Sequence, residues 1–106
     1  MAPHMLIHSV YFWLKPDLTP AQRAHFRAEV AKLGAITSIA KIYVAPPAKI
    51  EARPVTDRSF DIALTIVFAD GAAHDAYQVD PLHLAFVAGN KDAWVKVLIF
   101  DSDEAA

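Results

Sequence analysis

The sequence predicts a single α+β domain of the ferredoxin-like βαββαβ type, in which a four-stranded antiparallel sheet pairs with a second copy to form a dimeric α/β barrel. The length of 106 residues fits one domain. The predicted elements follow the order strand, helix, strand, strand, helices, strand, which is typical of split βαβ folds. Apolar residues make up 55% of the chain. One small core needs fewer, so a second buried surface, such as a subunit interface, is expected.

The first strand is predicted over residues 6–14, a short segment that is almost wholly apolar and rich in aromatic residues. Alternate residues of a strand point to opposite faces of the sheet. One face carries Leu6, His8, Val10, Phe12 and Leu14, and the other carries Ile7, Ser9, Tyr11 and Trp13. Because both faces are apolar, we expect helices to cover one and a partner subunit to cover the other.

The first helix is predicted over residues 19–33. Thr19 and Gln22 have the spacing of a capping box, and Pro20 suits the first helical position. An apolar stripe recurs at helical spacing and consists of Phe26, Val30 and Leu33. The glycine that follows, Gly34, is expected to end the helix. The stripe indicates that this helix packs on the sheet.

The remaining elements are a strand over 36–44, a loop over 45–58, a strand over 60–68, short helices over 71–78 and 81–88, and a strand over 94–100. Asp70 and Asp80 are expected to cap the two short helices, and Gly89 and Asn90 to end the second one. The domain is taken to span 5–101, followed by a polar tail over 102–106. Met5 is interpreted as the natural start, with residues 1–4 as a non-native leader.

Composition excludes several classes of function. The net charge is −2 and no basic stripe occurs, so no nucleic-acid partner is expected. The chain has no cysteine, which excludes disulfides, thiolate metal sites and cysteine nucleophiles. No apolar run reaches the ~18 residues of a membrane span and no signal peptide is evident, which predicts a cytoplasmic protein without a membrane partner. Metal-binding histidine spacings, phosphate loops and dinucleotide motifs do not occur, so neither a metal nor a cofactor is predicted.

Short motifs along the chain, in their order and spacing, resemble the stress-responsive A/B barrel domain family. They are Ile7-His8-Ser9-Val10, Leu18-Thr19-Pro20-Ala21-Gln22, Tyr77, Asp80-Pro81-Leu82-His83 and, after Trp94, Leu98-Ile99-Phe100-Asp101. The resemblance runs from Met5 to Phe100 and implies a dimeric α/β barrel. It also implies a choice of activities, because a plant polyketide cyclase looks like a member. Related barrels include cofactorless monooxygenases, lactone isomerases and haem-degrading enzymes.

His83 is the first candidate catalytic residue. It falls in the first turn of the helix that Asp80 begins, where the helix dipole favours a neutral imidazole, whereas Asp80 favours the charged form. A neutral imidazole can act as a general base. The resemblance implies that His83 removes a proton from a substrate carbon and that the Tyr77 hydroxyl holds the carbonyl oxygen. The alternative is that His83 caps or packs locally and that Tyr77 is an ordinary core residue.

A pocket for a small apolar ligand is predicted next to this pair, and its proposed substrate-binding residues are His8, Phe12, Ile62, Leu64 and Phe86. The alternative for His8 is a histidine satisfied within the core. One departure from the cyclase is the third strand, where Phe60-Asp61-Ile62 lacks a pocket histidine that the cyclase carries. The pairs His25–Glu29 and His74–Asp75 are expected to lie on the surface.

Two classes of function follow from these residues. The first is a cofactor-independent cyclase or isomerase that acts on a small, apolar, oxygenated, polyketide-like molecule. The second is a non-catalytic stress-responsive dimer that binds a ligand or serves a structural role. A cofactorless monooxygenase is a further alternative implied by the resemblance. An open cavity with His83 and Tyr77 both facing inward would favour an enzyme, and a filled core would favour the second class.

Overall fold

The computed structural model describes residues 4–106, so most of the predicted leader, residues 1–3, lies outside the described residues. The strands are β1 (Leu6–Leu14), β2 (Lys41–Ala45), β3 (Ile62–Phe68) and β4 (Trp94–Asp103). The helices are α1 (Pro20–Ala31), α2 (Gly71–Val79) and α3 (Pro81–Asn90), and 3-10 turns at Lys32–Ala35 and Lys91–Ala93 follow α1 and α3. Within the described residues, none of these helices has the length and apolar character to cross a membrane.

The four strands form one antiparallel sheet in the order β2-β3-β1-β4. This order confirms the predicted ferredoxin-like fold. Buried and half-buried residues alternate along both central strands, β1 and β3. The buried set, which faces the helices, is Leu6, His8, Val10, Phe12 and Leu14 from β1, with Ile62, Leu64, Ile66 and Phe68 from β3. The opposite face of the sheet carries no helix in the described chain.

Helix α1 begins as its sequence predicts. The Thr19 hydroxyl accepts a hydrogen bond from the Gln22 amide at 3.1 Å, and the Gln22 side chain accepts one from the Thr19 amide at 2.8 Å. This reciprocal capping box satisfies two amides that the helix itself leaves without partners. Phe26 and Val30 are buried against the sheet, and the third residue of the stripe, Leu33, is buried from the following 3-10 turn.

Several boundaries differ from those predicted. Helix α1 ends at Ala31, before a 3-10 turn that includes Gly34, and β3 begins at Ile62 rather than at residue 60. Strand β2 begins at Lys41 because Ile36 turns into the core and residues 36–40 form a bend. Helix α3 continues through Gly89 and Asn90, and the Asn90 side-chain amide donates back to the Phe86 carbonyl at 3.0 Å within the helix. Strand β4 continues past residue 100 to Asp103, because its polar end pairs with the start of β1. Part of the predicted polar tail is therefore strand.

Replacing Phe26 by alanine should lower the free energy of unfolding by about 3–5 kcal/mol. The Phe26 ring is 1% exposed and its centroid lies 5.1 Å from that of Phe12, so truncation leaves a cavity between α1 and the sheet. Urea denaturation at matched protein concentrations measures the change. The control is His25→Ala on the exposed side of the same helix, which should stay within about 0.5 kcal/mol of the parent protein. Equal stability of the two variants would contradict the prediction.

Candidate functional site

A cavity of about 290 Å³ lies between helices α2 and α3 and the sheet. Most of its wall is apolar and comprises Val10, Phe12, Leu64, Phe86, Val87, Trp94, Val97 and Ile99. Four polar residues complete it: His8, Tyr77, Gln78 and His83. A mainly apolar wall with a few polar groups is typical of a small-molecule site.

Most of the residues predicted for the pocket line this one cavity: His8, Phe12, Leu64, Tyr77, His83 and Phe86. Ile62 is the exception. It lies at the start of β3 in a separate cleft beside Leu14, Arg23 and Pro46. Ile62 lies near α1, whereas the cavity lies toward α3 and β4. Leu64 is the residue of β3 that lines the cavity.

Tyr77 and His83 come together because α2 ends at Val79 and α3 begins at Pro81, with only Asp80 between them. Asp80 caps α3 by accepting a hydrogen bond from the Leu82 amide at 2.8 Å, and the Asp80 amide donates to the Tyr77 carbonyl at 3.2 Å. This tight bend brings the aromatic centroids of Tyr77 and His83 to 4.6 Å from each other. A phenol and an imidazole therefore share one wall of the cavity.

The hydrogen bonding of His83 determines which of its ring nitrogens is free. His83 Nδ1 lies 3.1 Å from the Gln78 carbonyl oxygen. A carbonyl oxygen only accepts, so Nδ1 carries the hydrogen and Nε2 holds the lone pair in the neutral ring. Burial lowers the pKa of His83, and this effect outweighs the opposing hydrogen bond to Gln78. The ring is thus held as a neutral base with one free nitrogen.

The lowered pKa predicts that His83 titrates below the ordinary histidine value of about 6.5. Burial disfavours the charged ring, so the neutral form should already dominate at neutral pH and protonation should require a more acidic solution. Two-dimensional ¹H–¹³C NMR of the imidazole groups measures the midpoint, with a His83→Gln sample to assign the signal. A His83 midpoint at or above the ordinary histidine value of about 6.5 would contradict the prediction.

Tyr77 is a neutral proton donor in this environment. Its side chain is 1% exposed, and burial raises the pKa of its hydroxyl well above the ordinary value for tyrosine. No hydrogen bond to the Tyr77 hydroxyl is observed among residues 4–106, so its donor remains available to a group in the cavity.

His8 is buried in the sheet and paired with a carboxylate. It is 3% exposed, and its Nδ1 lies 2.6 Å from Asp101 Oδ1, opposite it on β4. The ring centroids of Tyr77 and Phe68 lie 5.8 Å and 6.2 Å away. His8 is therefore both a satisfied core residue and part of the cavity wall, which combines the two interpretations that its sequence position left open.

The prediction that His74 and Asp75 both lie on the surface is wrong for His74. The Asp75 side chain is 83% exposed, but that of His74 is only 20% exposed because it turns toward the sheet. Its ring centroid lies 5.3 Å from that of His8 and 5.6 Å from that of Phe68. In contrast, His25 is 71% exposed and 3.9 Å from Glu29, as expected for a surface pair.

Asp61 lies in the segment where this chain lacks the pocket histidine of the plant polyketide cyclase, and its role is structural. One of its carboxylate oxygens accepts from the Leu14 amide at 2.7 Å, and the other accepts from the Arg23 guanidinium at 3.2 Å. These bonds join the end of β1 to α1. Asp61 belongs to the cleft that contains Ile62 and does not line the cavity.

Strand β4 supplies a part of the cavity that the sequence did not reveal. Trp94, Val97 and Ile99 line it beside His83 and Tyr77. The register with β1 determines that these side chains face the cavity. In this register Val10 pairs with Ile99, and a bulge follows Trp13. An apolar segment without clear alternation gave no signal for this.

The family model for the stress-responsive A/B barrel domain matches residues 6–104. A comparison with curated proteins finds no significant match. A solved dabb family protein with a ferredoxin-like fold from Mesorhizobium loti is 27% identical, with a TM-score of 0.77, over 93% of this chain and 95% of that chain. The hydroxynitrile lyase of Passiflora edulis is 20% identical, with a TM-score of 0.79, over 96% and 94%. A dimeric ferredoxin-like protein of unknown function from Thermobifida fusca is 19% identical, with a TM-score of 0.76, over 93% and 90%. By the extent of the family match, the chain belongs to the stress-responsive A/B barrel domain family.

Proposed function

We propose that the protein is a homodimeric, cofactor-independent enzyme that moves a proton on a small, apolar, oxygenated substrate. The observation that carries the proposal is the pair of Tyr77 and His83 on one apolar cavity, with ring centroids 4.6 Å apart. Cyclisation and isomerisation both begin with such a proton transfer. Binding without catalysis is the alternative that the experiment below separates from it.

The proposed reaction begins at the free Nε2 of His83. This nitrogen takes a proton from a carbon next to a substrate carbonyl, and the resulting enolate oxygen accepts a hydrogen bond from the Tyr77 hydroxyl. In a cyclase, the enolate carbon then attacks a second carbonyl carbon of the same molecule, and protonated His83 returns the proton to the new alkoxide. In an isomerase, His83 returns the proton to a different carbon. Neither the cyclisation nor the isomerisation needs an oxidant or a cofactor.

A lyase is the second candidate, and the structural similarity to a hydroxynitrile lyase favours it. In this version His83 takes the proton of a cyanohydrin hydroxyl while Tyr77 holds the same oxygen. The carbon–cyanide bond breaks to give an aldehyde or ketone, and the imidazolium donates its proton to the departing cyanide. Both candidates use the same base and the same oxygen-binding hydroxyl.

The size of the cavity limits the substrate. Its volume of about 290 Å³ lies near the lower end of the ~300–1,000 Å³ typical of ligand sites. Its aromatic wall, with Phe12, Phe86 and Trp94, suits a flat apolar ligand. A molecule with one aromatic ring and one or two oxygen atoms fits this description better than a nucleotide or a sugar.

Hydrogen–deuterium exchange of phenylacetone tests the proposal without knowledge of the natural substrate. Its CH₂ group lies between a ring and a carbonyl, and exchange in D₂O is slow enough to follow by ¹H NMR. We expect the protein to accelerate the exchange catalytically. A panel of aromatic cyanohydrins, followed by aldehyde absorbance, tests the lyase version. If phenylacetone and the cyanohydrins bind in the cavity by NMR but react at the buffer rate, the protein is a binding module and the catalytic proposal fails.

The helix-free face of the sheet supports the homodimer. Cross-strand pairing places Leu98 beside Tyr11 and Phe100 beside Ser9 on this face, and Leu98 and Phe100 are 39% and 61% exposed. Tyr11 and Trp13 line a hollow of about 570 Å³ on the same face. Large exposed apolar areas of this kind mark association sites. Neighbours from Thermobifida fusca and Bacteroides fragilis are described as dimeric.

A further inference from the structure

We infer that His8, His74 and Asp101 form a binding site for a divalent metal ion of the Zn²⁺ class at the edge of the cavity. They lie on β1, α2 and β4, so the fold brings together residues that are far apart in the chain. One ligand atom from each residue lies within 4.8 Å of those of the other two. This inference goes beyond the proposed proton transfer and does not depend on it.

The ligand types indicate the class of metal. Imidazole nitrogen and carboxylate oxygen both bind Zn²⁺ at about 2.0–2.2 Å, whereas Ca²⁺ and Mg²⁺ prefer oxygen ligands only. Two histidines and one carboxylate leave at least one position for water, which is the arrangement of open metal sites. Exposed carboxylates alone would not indicate a site, but a buried histidine beside a second, largely buried histidine is a more selective set.

Burial holds the first ligand in place. His8 is 3% exposed and its ring packs against those of Phe68 and Tyr77. A side chain already fixed by packing loses little conformational freedom on binding a metal. His74 presents its ring at a centroid distance of 5.3 Å and an interplanar angle of 63° to His8, which lets two imidazoles approach one ion from different directions.

The remaining ligands can adjust to the ion. Asp101 is 45% exposed, so its carboxylate has room to rotate and solvent has a path to the site. Without a metal, His8 Nδ1 donates a hydrogen bond to Asp101 Oδ1 over 2.6 Å. Metal binding requires ligand lone pairs, so that hydrogen must leave or the ion must bind His8 through Nε2. The partners of His74, Asp75 at 3.2 Å and Gln78 at 3.3 Å, are weak contacts that the ring can exchange for the ion.

The metal ligands do not include the proposed base. His83 Nδ1 is engaged by the Gln78 carbonyl, and His83 is absent from the cluster of mutually close ligand atoms. Metal affinity and proton-transfer activity can therefore be measured separately. A failure of one leaves the other standing.

Titration of the EDTA-treated, dialysed protein, without an affinity tag, tests the inference. We expect isothermal titration with ZnCl₂ to give one site per chain, and Co²⁺ to give the visible absorption of a site with nitrogen and oxygen ligands. His74→Ala and Asp101→Asn should each weaken Zn²⁺ binding roughly tenfold or more. The control is His25→Ala, because His25 and Glu29 form a second, exposed histidine–carboxylate pair.

Circular dichroism of each variant establishes that it remains folded, and two variants on different elements guard against the failure of one. The inference is overturned if the parent protein binds no Zn²⁺ at micromolar concentration. It is equally overturned if folded His74→Ala and Asp101→Asn bind as the parent does, or if His25→Ala removes the site. Unchanged affinity in His25→Ala, together with the expected losses in the other two, supports it.

Discussion

Replacement of His83 by glutamine should lower kcat/KM for phenylacetone exchange, or for any cyanohydrin that is cleaved, at least about a hundredfold. Glutamine keeps a polar side chain of similar reach but has no basic nitrogen. The free Nε2 of His83, which is lost in the variant, is the only base that the proposed reaction uses. The far-ultraviolet circular dichroism and the oligomeric state should not change, because His83 is half-buried and contributes little to the core.

Tyr77→Phe separates the base from the oxygen-binding group. It retains the buried ring and removes only the hydroxyl, so the fold should persist while kcat falls because the enolate oxygen loses its donor. His25→Gln makes the same change as His83→Gln at an exposed position and should leave both kinetic constants unaltered. Parent-like turnover in folded His83→Gln would reduce the cavity to a binding site and rule out the proposed role of His83.

The local sequence was sufficient to predict the pair of Tyr77 and His83. Asp80 followed by proline fixes the start of α3, and only a few residues separate Tyr77 from His83, so their proximity does not depend on distant pairing. The two-residue period of β1 likewise determined which residues share a face with His8. These inferences needed only capping rules and the period of a strand.

The rest of the site depends on contacts that no local pattern encodes. Asp101 lay just beyond the last strand as predicted, residues 94–100, yet the β1–β4 register pairs it with His8. His74 looked like a surface residue beside Asp75, but the angle at which α2 packs on the sheet turns its ring inward. Ile62 shares the face of Leu64, and only the tertiary position of α1 assigns it to a different cleft.

Helix α3 is longer than predicted for a related reason. Gly89 and Asn90 commonly end helices, but here the helical backbone continues and the Asn90 amide bonds to the Phe86 carbonyl at 3.0 Å. Burial of Asn90 against the domain stabilises a conformation that its propensity disfavours. Tertiary packing thus changed the boundaries while leaving the order of the elements as predicted.

Substitution of Leu98 by aspartate should convert the proposed dimer to a monomer at micromolar concentration. Leu98 lies on the helix-free face opposite Tyr11, and a carboxylate buried there between two sheets would have no partner. An unpaired buried charge costs several kcal/mol, enough to shift a micromolar equilibrium by orders of magnitude. Sedimentation velocity of the parent protein and the variant measures the change.

The matched control is Leu84→Asp, the same substitution on helix α3, where the side chain is 56% exposed on the opposite layer. We expect this variant to remain dimeric, because a charge that stays in water incurs no desolvation cost. For the parent protein, the midpoint of thermal unfolding should rise with protein concentration, since dissociation accompanies unfolding. This measurement needs no variant, so it tests dimerisation even if Leu98→Asp does not fold. A parent protein that sediments as a monomer, or a Leu84→Asp variant that dissociates while Leu98→Asp does not, would show that the helix-free face is not the dimer interface.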